Sequence, residues 1–425
     1  MSYPLSNSPY IHPIEHHSRS GFPSKSNWCD IIAFLTEKGE FAWFHEITKD
    51  LDYGRVEVSG LGNSLMLAGY SYLGLNRRPE IRESILDAHD RFSSGSAGSR
   101  WLAGHTSIHR ELEELLADVH GTEDAVTFAS GYVANHATIT ALVGRNDIVF
   151  GDRINHASLV DGCRQSEATF KRFSHNDTDQ LRSALKNTKA NRKFVVVDGV
   201  ASMSGNICNA PDIIQVCNDE GALLMVDECH SHFVVGATGG GVKEHFGLDT
   251  DVEVDIEMGT LGKALHSAGG YIASSRDICN YLRRQSRGFI YSRSISPIDV
   301  ASGIAALKIF INERKQLVSQ LQLNRSVFVR SLRNYGLNVE DGPSPIVSIP
   351  VGPAVAAASA ANGCQKRGVF IHPVFPPVVP KGKSILRASM MANHRENDLI
   401  EAARIIVEEV SSSIERCTPE EAAMM

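Results

Sequence analysis

Two residues 36 positions apart carry the chemistry this chain can do. Lys263 sits in the small-residue run Gly259-Thr260-Leu261-Gly262-Lys263-Ala264. A lysine amine can form a Schiff base with an aldehyde, and small neighbours let such a group approach the backbone. Asp227 follows the apolar run Leu224-Met225-Val226, the pattern of a buried strand ending in a carboxylate. A carboxylate beside a pyridine nitrogen raises that nitrogen's pKa and keeps it protonated. Together the two residues are the minimum equipment for pyridoxal 5'-phosphate, which draws electrons only while its ring nitrogen is protonated. Taken singly, each has an ordinary reading: a solvated lysine, and an aspartate capping a turn.

Further residues fit the same cofactor. Gly262-Lys263 also invites a nucleotide P-loop, but Glu257 and Ala264 stand where Gly and Ser/Thr are required, so both flanks fail. Thr260 could offer a hydroxyl to a phosphate. Ser130-Gly131-Tyr132 precedes a helical stretch, and backbone amides at a helix N-terminus bind phosphate. His156, in Asn155-His156-Ala157-Ser158, could stack on a flat ring or be a structural histidine. His230 could hydrogen-bond the cofactor phenolate or a substrate carbonyl. With His232 it could instead ligate metal, but no third ligand is near, and no metal is expected. Ser202, after a strand ending at Asp198, adds a hydroxyl at the sheet edge. Arg387, in Ile385-Leu386-Arg387-Ala388-Ser389, could clamp a carboxylate bidentately or lie on the surface.

An α/β sheet must position these side chains. Apolar runs at 147–150, 194–197, 222–226 and 270–273 lack period-two alternation and are spaced by helical segments, so they read as buried parallel strands. Leu112, Leu115, Leu116 and Val119 mark a helix over 109–119. Ligands of such sheets sit at the carboxyl ends of strands, where Asp198 and Asp227 fall. Beyond Pro297 the pattern changes: a long helix over 299–335, a strand over 346–349, a Pro-rich loop, and a helix over 396–414. The expected organisation is an N-terminal segment (1–50), a large mostly parallel domain flanked by helices (51–296) and a smaller C-terminal α/β domain (297–425). Residues 1–27, with His12, His16 and His17, read as an irregular tail, and 28–46 as a helix.

The 425 residues are 42% hydrophobic and 21% charged, enough for a large and a small domain. A net charge of −7 argues against general affinity for nucleic acid or anionic membrane. No run of 18 apolar residues suggests a transmembrane helix, and the polar start lacks a signal-peptide core. Eight scattered cysteines without a Cys-x-x-Cys suggest neither a disulfide framework nor a zinc ribbon, so a reducing cytoplasm is the expected setting.

Taken together, the segments resemble the α-oxoamine synthases, pyridoxal phosphate enzymes of fold type I that include serine palmitoyltransferase, 5-aminolevulinate synthase, 8-amino-7-oxononanoate synthase and glycine C-acetyltransferase. The resemblance spans about 45–410. It is carried by Tyr72-Leu73-Gly74-Leu75, Gly95 through Arg100, His109 through Leu116, Ser130-Gly131-Tyr132, Asn155 through Ser158, Ser202-Met203, Val226-Asp227-Glu228, Gly259 through Lys263, and Arg387. It implies a homodimer that condenses a small amino acid with an acyl thioester of coenzyme A or of a carrier protein. Carbon dioxide usually leaves, giving an α-amino ketone. By position, Lys263 resembles the Schiff-base lysine, Asp227 the pyridinium partner, and His156 the stacking histidine. His230 and Ser202 match residues around the phenolic oxygen. Thr260 with Gly131 and Tyr132 matches the phosphate cradle. Ser292 and Ser294 match a segment reaching the neighbouring subunit's phosphate, and Arg387 the carboxylate-binding arginine. Tyr70 stands where several members acting on glycine or alanine carry asparagine, whereas serine palmitoyltransferases commonly carry tyrosine there. Phe375 replaces a substrate-binding arginine of the bacterial serine enzyme, His232-Phe233 an apolar-glycine pair, and Gly240 a common arginine. These departures suggest a specialised member in a secondary pathway. The alternatives are an enzyme of the glycine C-acetyltransferase or 8-amino-7-oxononanoate synthase type, or an aldolase or aminotransferase of the same fold type; a non-catalytic partner subunit is disfavoured by Lys263.

Overall fold

The structure, a computed structural model, describes residues 44–248 and 254–419. The N-terminal tail and nearly all of the helix expected over 28–46 lie outside these residues. The described chain opens with an antiparallel meander, β1 (Ile47–Asp50), β2 (Arg55–Val58) and β3 (Gly62–Met66).

Seven strands follow: β4 (Asp124–Phe128), β5 (Ile148–Asp152), β6 (Thr169–Phe173), β7 (Lys193–Asp198), β8 (Ala222–Asp227), β9 (Ile256–Thr260) and β10 (Gly270–Ser274). They form one sheet in the order β4-β10-β9-β8-β7-β5-β6. Neighbours from β9 to β6 run parallel, whereas β10 is antiparallel to both β4 and β9. The reading of 270–273 as a parallel strand is therefore corrected. A strand buried on both faces reads as a continuous apolar run in either direction, so the pattern carries no direction. Three strands escape the pattern altogether. β4 and β9 bury charged Asp124 and Glu257, and β6 is largely exposed.

Helices cover both faces. One core joins Met225, Ile256, Met258 and Ile272 to Ala134, Ala137 and Leu159, and the other joins Val195, Val197, Leu224 and Val226 to Leu181, Ile213 and Ile214. The helix Ser107–His120 starts on a capping box between Thr106 and His109 and stops at Gly121, whose φ of 68° is left-handed.

The C-terminal part adds β11 (Ile346–Gly352), β12 (Val369–Phe370), β13 (His372–Val374) and β14 (Ser384–Ser389). β11, β14 and β13 make an antiparallel sheet, while β12 pairs parallel with β3. Two compact units result. The larger is Tyr70–Leu323 with Gly342–Pro345; the smaller gathers the described residues up to Gly69, Asn324–Asp341 and those from Ile346 on. These limits differ from the expected 51–296 and 297–425 for two reasons. Leu65 N and Leu67 N donate to Gly368 O and Phe370 O, at 2.8 and 2.9 Å, which ties the meander to the C-terminal strands. The helix Pro297–Asn334 stays with the large unit through Leu323, because Ser84 Oγ and Ser267 Oγ donate to its Ala301 and Asp299 carbonyls and Gln322 Nε2 donates to Val234 O.

Candidate active site

The site lies at the carboxyl ends of β7, β8 and β9 in the large unit. Asp198 and Asp227 end adjacent strands in register. Asp227 is buried and held by neutral donors: Asn135 Nδ2 donates to Oδ2 at 2.6 Å and Cys229 N to Oδ1 at 2.9 Å. Asn135 Nδ2 also donates to Ser158 Oγ at 2.9 Å, and that hydroxyl lies 2.7 Å from His156 Nδ1. His156 caps the helix Ala157–Gln165, and its backbone N–H donates to Asp198 Oδ2 at 2.8 Å. Burial first, and the neighbouring Asp227 second, push the Asp198 carboxyl well up. The two carboxyls thus differ in role: Asp198 holds the His156 turn, and Asp227 faces the helix that carries Asn135.

Lys263 lies just beyond β9. Its Nζ is 2.9 Å from His230 Nε2, and His230 Nδ1 is 2.7 Å from Tyr72 Oη. With the lysine donating, Nε2 accepts and the imidazole proton belongs on Nδ1, directed at the tyrosine oxygen. The Tyr70 ring stands 5.9 Å from Nζ and 6.0 Å from the His230 ring. Burial opposes the lysine's charge, but Cys229 and Asp227 outweigh it and hold the amine above its ordinary range. Burial also drives the Cys229 thiol well up, so at neutral pH Asp227 is the charged neighbour.

A helix N-terminus whose amides could cradle a phosphate lies beside them. Ser130 caps the helix Gly131–Leu142, its Oγ accepting from Val133 N at 3.2 Å. The first-turn amides of Gly131 and Tyr132 have no acceptor four residues back, which suits an anion. Gly270 is required: a Cβ there would stand 2.6 Å from Ser130 O and 2.7 Å from Gly131 N. Thr260 Oγ1 donates to Gly269 O at 2.9 Å and accepts from Gly262 N at 3.2 Å. An added Cβ on Gly131 would reach within 3.4 Å of Thr260 Oγ1 and 3.3 Å of Met258 Cε, so Gly131 leaves a gap facing Thr260. A carboxylate with neutral partners, an adjacent amine and a cradle of amides together fit pyridoxal phosphate.

The aminotransferase class I and II family profile matches residues 63–406. An 8-amino-7-oxononanoate synthase from Citrifermentans bemidjiense is 40% identical over 362 residues, 85% of this chain and 92% of that protein. A serine palmitoyltransferase from Sphingobacterium spiritivorum is 37% identical over 379 residues, covering 89% and 94%. The solved serine palmitoyltransferase of S. paucimobilis with a bound PLP–myriocin aldimine superposes with a TM-score of 0.85 at 28% identity, covering 89% of this chain and 96% of that one. The chain belongs to the α-oxoamine synthase family.

The other expected residues of this synthase fall as follows. Tyr132 is exposed and donates to Asp161 Oδ2 at 2.7 Å. Ser202 is half-buried in the turn after β7. Ser292 is half-buried, whereas Ser294 is buried and spends its hydroxyl within the chain, 2.7 Å from Gly104 O. Arg387 and Phe375 belong to the smaller unit. Arg387, on β14, is buried and donates from Nη1 to Ser389 Oγ at 2.8 Å, and Phe375 is 1% exposed. His230 and His232 part company: His230 meets Lys263, whereas His232 stacks on His120. Two contributors escape the sequence reading. Tyr72 was visible only within a motif, and Asn135 had one available signal: an amide inside a mostly apolar helix one turn beyond Gly131.

Proposed function

We propose that this chain condenses a small amino acid with an acyl thioester, using pyridoxal 5'-phosphate held by Lys263. Bound there, the cofactor supplies the electron sink that makes the amino acid's α-carbon acidic. Lys263 would hold the cofactor through its aldehyde, and its Nζ, placed by His230, is the group that would move the α-proton of a bound amino acid. Asp227, oriented by Asn135 and Cys229 N, keeps the pyridine nitrogen protonated. His156 offers an exposed ring pinned at its Nδ1 edge as a stacking surface. His230 takes a hydrogen bond from Lys263 and so aims the amine, with Tyr72 fixing its tautomer. In the net reaction the α-carbon bonds to the acyl carbon, the C–S bond breaks and the thiol leaves; loss of the α-carboxylate as carbon dioxide gives an α-amino ketone.

The observation that carries the reading is the Lys263–His230 contact beside the neutral-donor pocket of Asp227. The relatives' names, an oxononanoate synthase and a serine palmitoyltransferase, support the reaction class. Tyr70, beside Lys263 and His230, supports a serine palmitoyltransferase-like amino-acid site, and the departures at Phe233 and Phe375 support a specialised acyl donor. A homodimer in the cytoplasm completes the reading, with Ser292 and Arg387 as substrate- or cofactor-facing residues. Thiol release in the presence of each amino acid, measured with acyl-coenzyme A and with acyl-carrier protein, tests it. Release that requires both an amino acid and a thioester supports the condensation. Transamination or retro-aldol cleavage without thioester contradicts it.

A further inference from the structure

Behind the Lys263–His230 contact, on the far face of β9, lies a buried cluster that the proposed chemistry does not use. His232 and His120 stack with ring centroids 3.8 Å apart and planes 16° from parallel. His120 Nδ1 lies 2.6 Å from Glu257 Oε2, and its Nε2 2.9 Å from Tyr271 Oη. Lys243 Nζ stands 2.5 Å from Glu257 Oε1. His120, His232 and Glu257 offer ligand atoms within 4.8 Å of one another, so a metal must be considered. The geometry opposes it. Both nitrogens of His120 already have protein partners, near-parallel stacked rings aim their lone pairs side by side, and Lys243 supplies the positive charge at Glu257.

The adjoining backbone shows what the stack holds. Phe233 has a φ of 73°, a left-handed conformation that is strained for a bulky residue. Such strain persists only where the surroundings over-determine it. The Phe233 ring meets His232 edge-on at 4.7 Å and Phe310 at 5.0 Å, and its N–H donates to Gly239 O at 2.7 Å. Gly239 has no room for a side chain, since a Cβ would stand 2.8 Å from the Phe233 carbonyl. On the near side, Ser231 N and His232 N both donate to Glu228 O at 3.0 Å. His230 therefore sits in a tight turn, with Asp227 at its start and the His232 stack at its end. The His232 Nδ1 atom is buried without a hydrogen-bond partner, and the ring's contacts are its stack on His120 and the edge-on Phe233 ring.

We propose that His232 is a positioning residue, whose ring, stacked on His120, fixes the turn that aims His230 at Lys263. The proposal rests on the Schiff-base role assigned to Lys263 above. Three measurements test it on the full chain: amide hydrogen exchange of the 228–233 peptide in cofactor-free protein, kcat, and KM for the amino acid. In H232A the exchange rises and kcat falls about tenfold or more with KM within about twofold, as a misaimed group predicts. H232F, which keeps a stacking ring without nitrogens, recovers both. Should H232A not fold, H232L keeps the volume without the flat ring and is read the same way. Wild-type exchange and kcat in H232A or H232L overturn the proposal. So does an H232F variant as impaired as H232A, which would assign the work to a nitrogen. Exchange is read without cofactor, so a wild-type protein releasing no thiol would fail the functional reading while leaving this test intact.

Discussion

Asp227 and Glu257 stand on opposite faces of the neighbouring strands β8 and β9, and they are held in opposite ways. Glu257 pairs in register with Val226, one residue before Asp227. Its oxygens meet the cationic Lys243 and the imidazole of His120. Burial opposes its ionisation, but His120 and Lys243 outweigh burial and bring the carboxyl down to about 2. Asp227 is held by an amide side chain and a backbone N–H, both neutral. Neutral donors orient a carboxylate without cancelling its charge, so Asp227 keeps its charge for a cation, which in the proposed function is the pyridinium. Glu257 spends its charge inside the fold. Two buried carboxylates one strand apart are thus divided between ligand and scaffold by the charge of their partners.

The strongest way to break this division is at the amine that Asp227 serves. K263A should lower turnover on the order of 10³-fold or more while the protein stays folded, because the covalent and proton-transfer roles vanish together. Turnover assays with far-ultraviolet circular dichroism check it, and a near-wild-type rate would remove Lys263 from its role. Next, D227N should still take up cofactor but lose about 10²-fold in α-proton exchange from the amino acid. E257Q should do the reverse, costing about 3 kcal/mol of unfolding free energy by leaving Lys243 uncompensated, with a smaller loss of exchange per folded molecule than D227N. Deuterium exchange by proton NMR and urea denaturation separate the two. If both variants lose mainly stability, or both mainly exchange, the division fails.

Acid titration sharpens the contrast. Glu257 has a folded pKa depressed from 4.5 to about 2, so its contribution is present above pH 4.5 and is lost as the pH falls toward 2. Denaturant melts between pH 6 and 3 should show wild type losing stability faster than E257Q. A dependence of opposite sign concerns Glu228, on the same buried side. Burial first, and then Glu257, push its carboxyl up to about 8. The unfolded chain releases this proton near 4.5 while the folded chain keeps it, so wild type loses stability as the pH rises from 4.5 to 8. E228Q removes that slope. Its stability relative to wild type should therefore improve between pH 5 and 8 and level off above that in the same melts; a constant difference would contradict the raised pKa.

The legible parts of this site were those where one strand or loop carries the chemistry. Asp227 closes an apolar run and Lys263 sits among small residues, so both could be placed from their neighbours alone. The long helix was expected over 299–335 and is Pro297–Asn334, because its buried face repeats over many turns. What stayed hidden depends on pairing across the sheet. The antiparallel direction of β10, the parallel match of β12 to β3 and the meeting of His120 with His232 each join distant positions. No local periodicity records such a meeting. Asn135 is the clearest case: it lies 92 residues from Asp227 and is defined by where its helix docks.

The central claim is that Lys263 carries the cofactor. Borohydride reduction of the protein loaded with pyridoxal phosphate, followed by proteolysis and peptide mass spectrometry, tests it most directly. A phosphopyridoxyl group on Lys263, and absent from the same peptide in K263A, is the predicted result. An unmodified Lys263, with the label elsewhere or nowhere, would contradict the account.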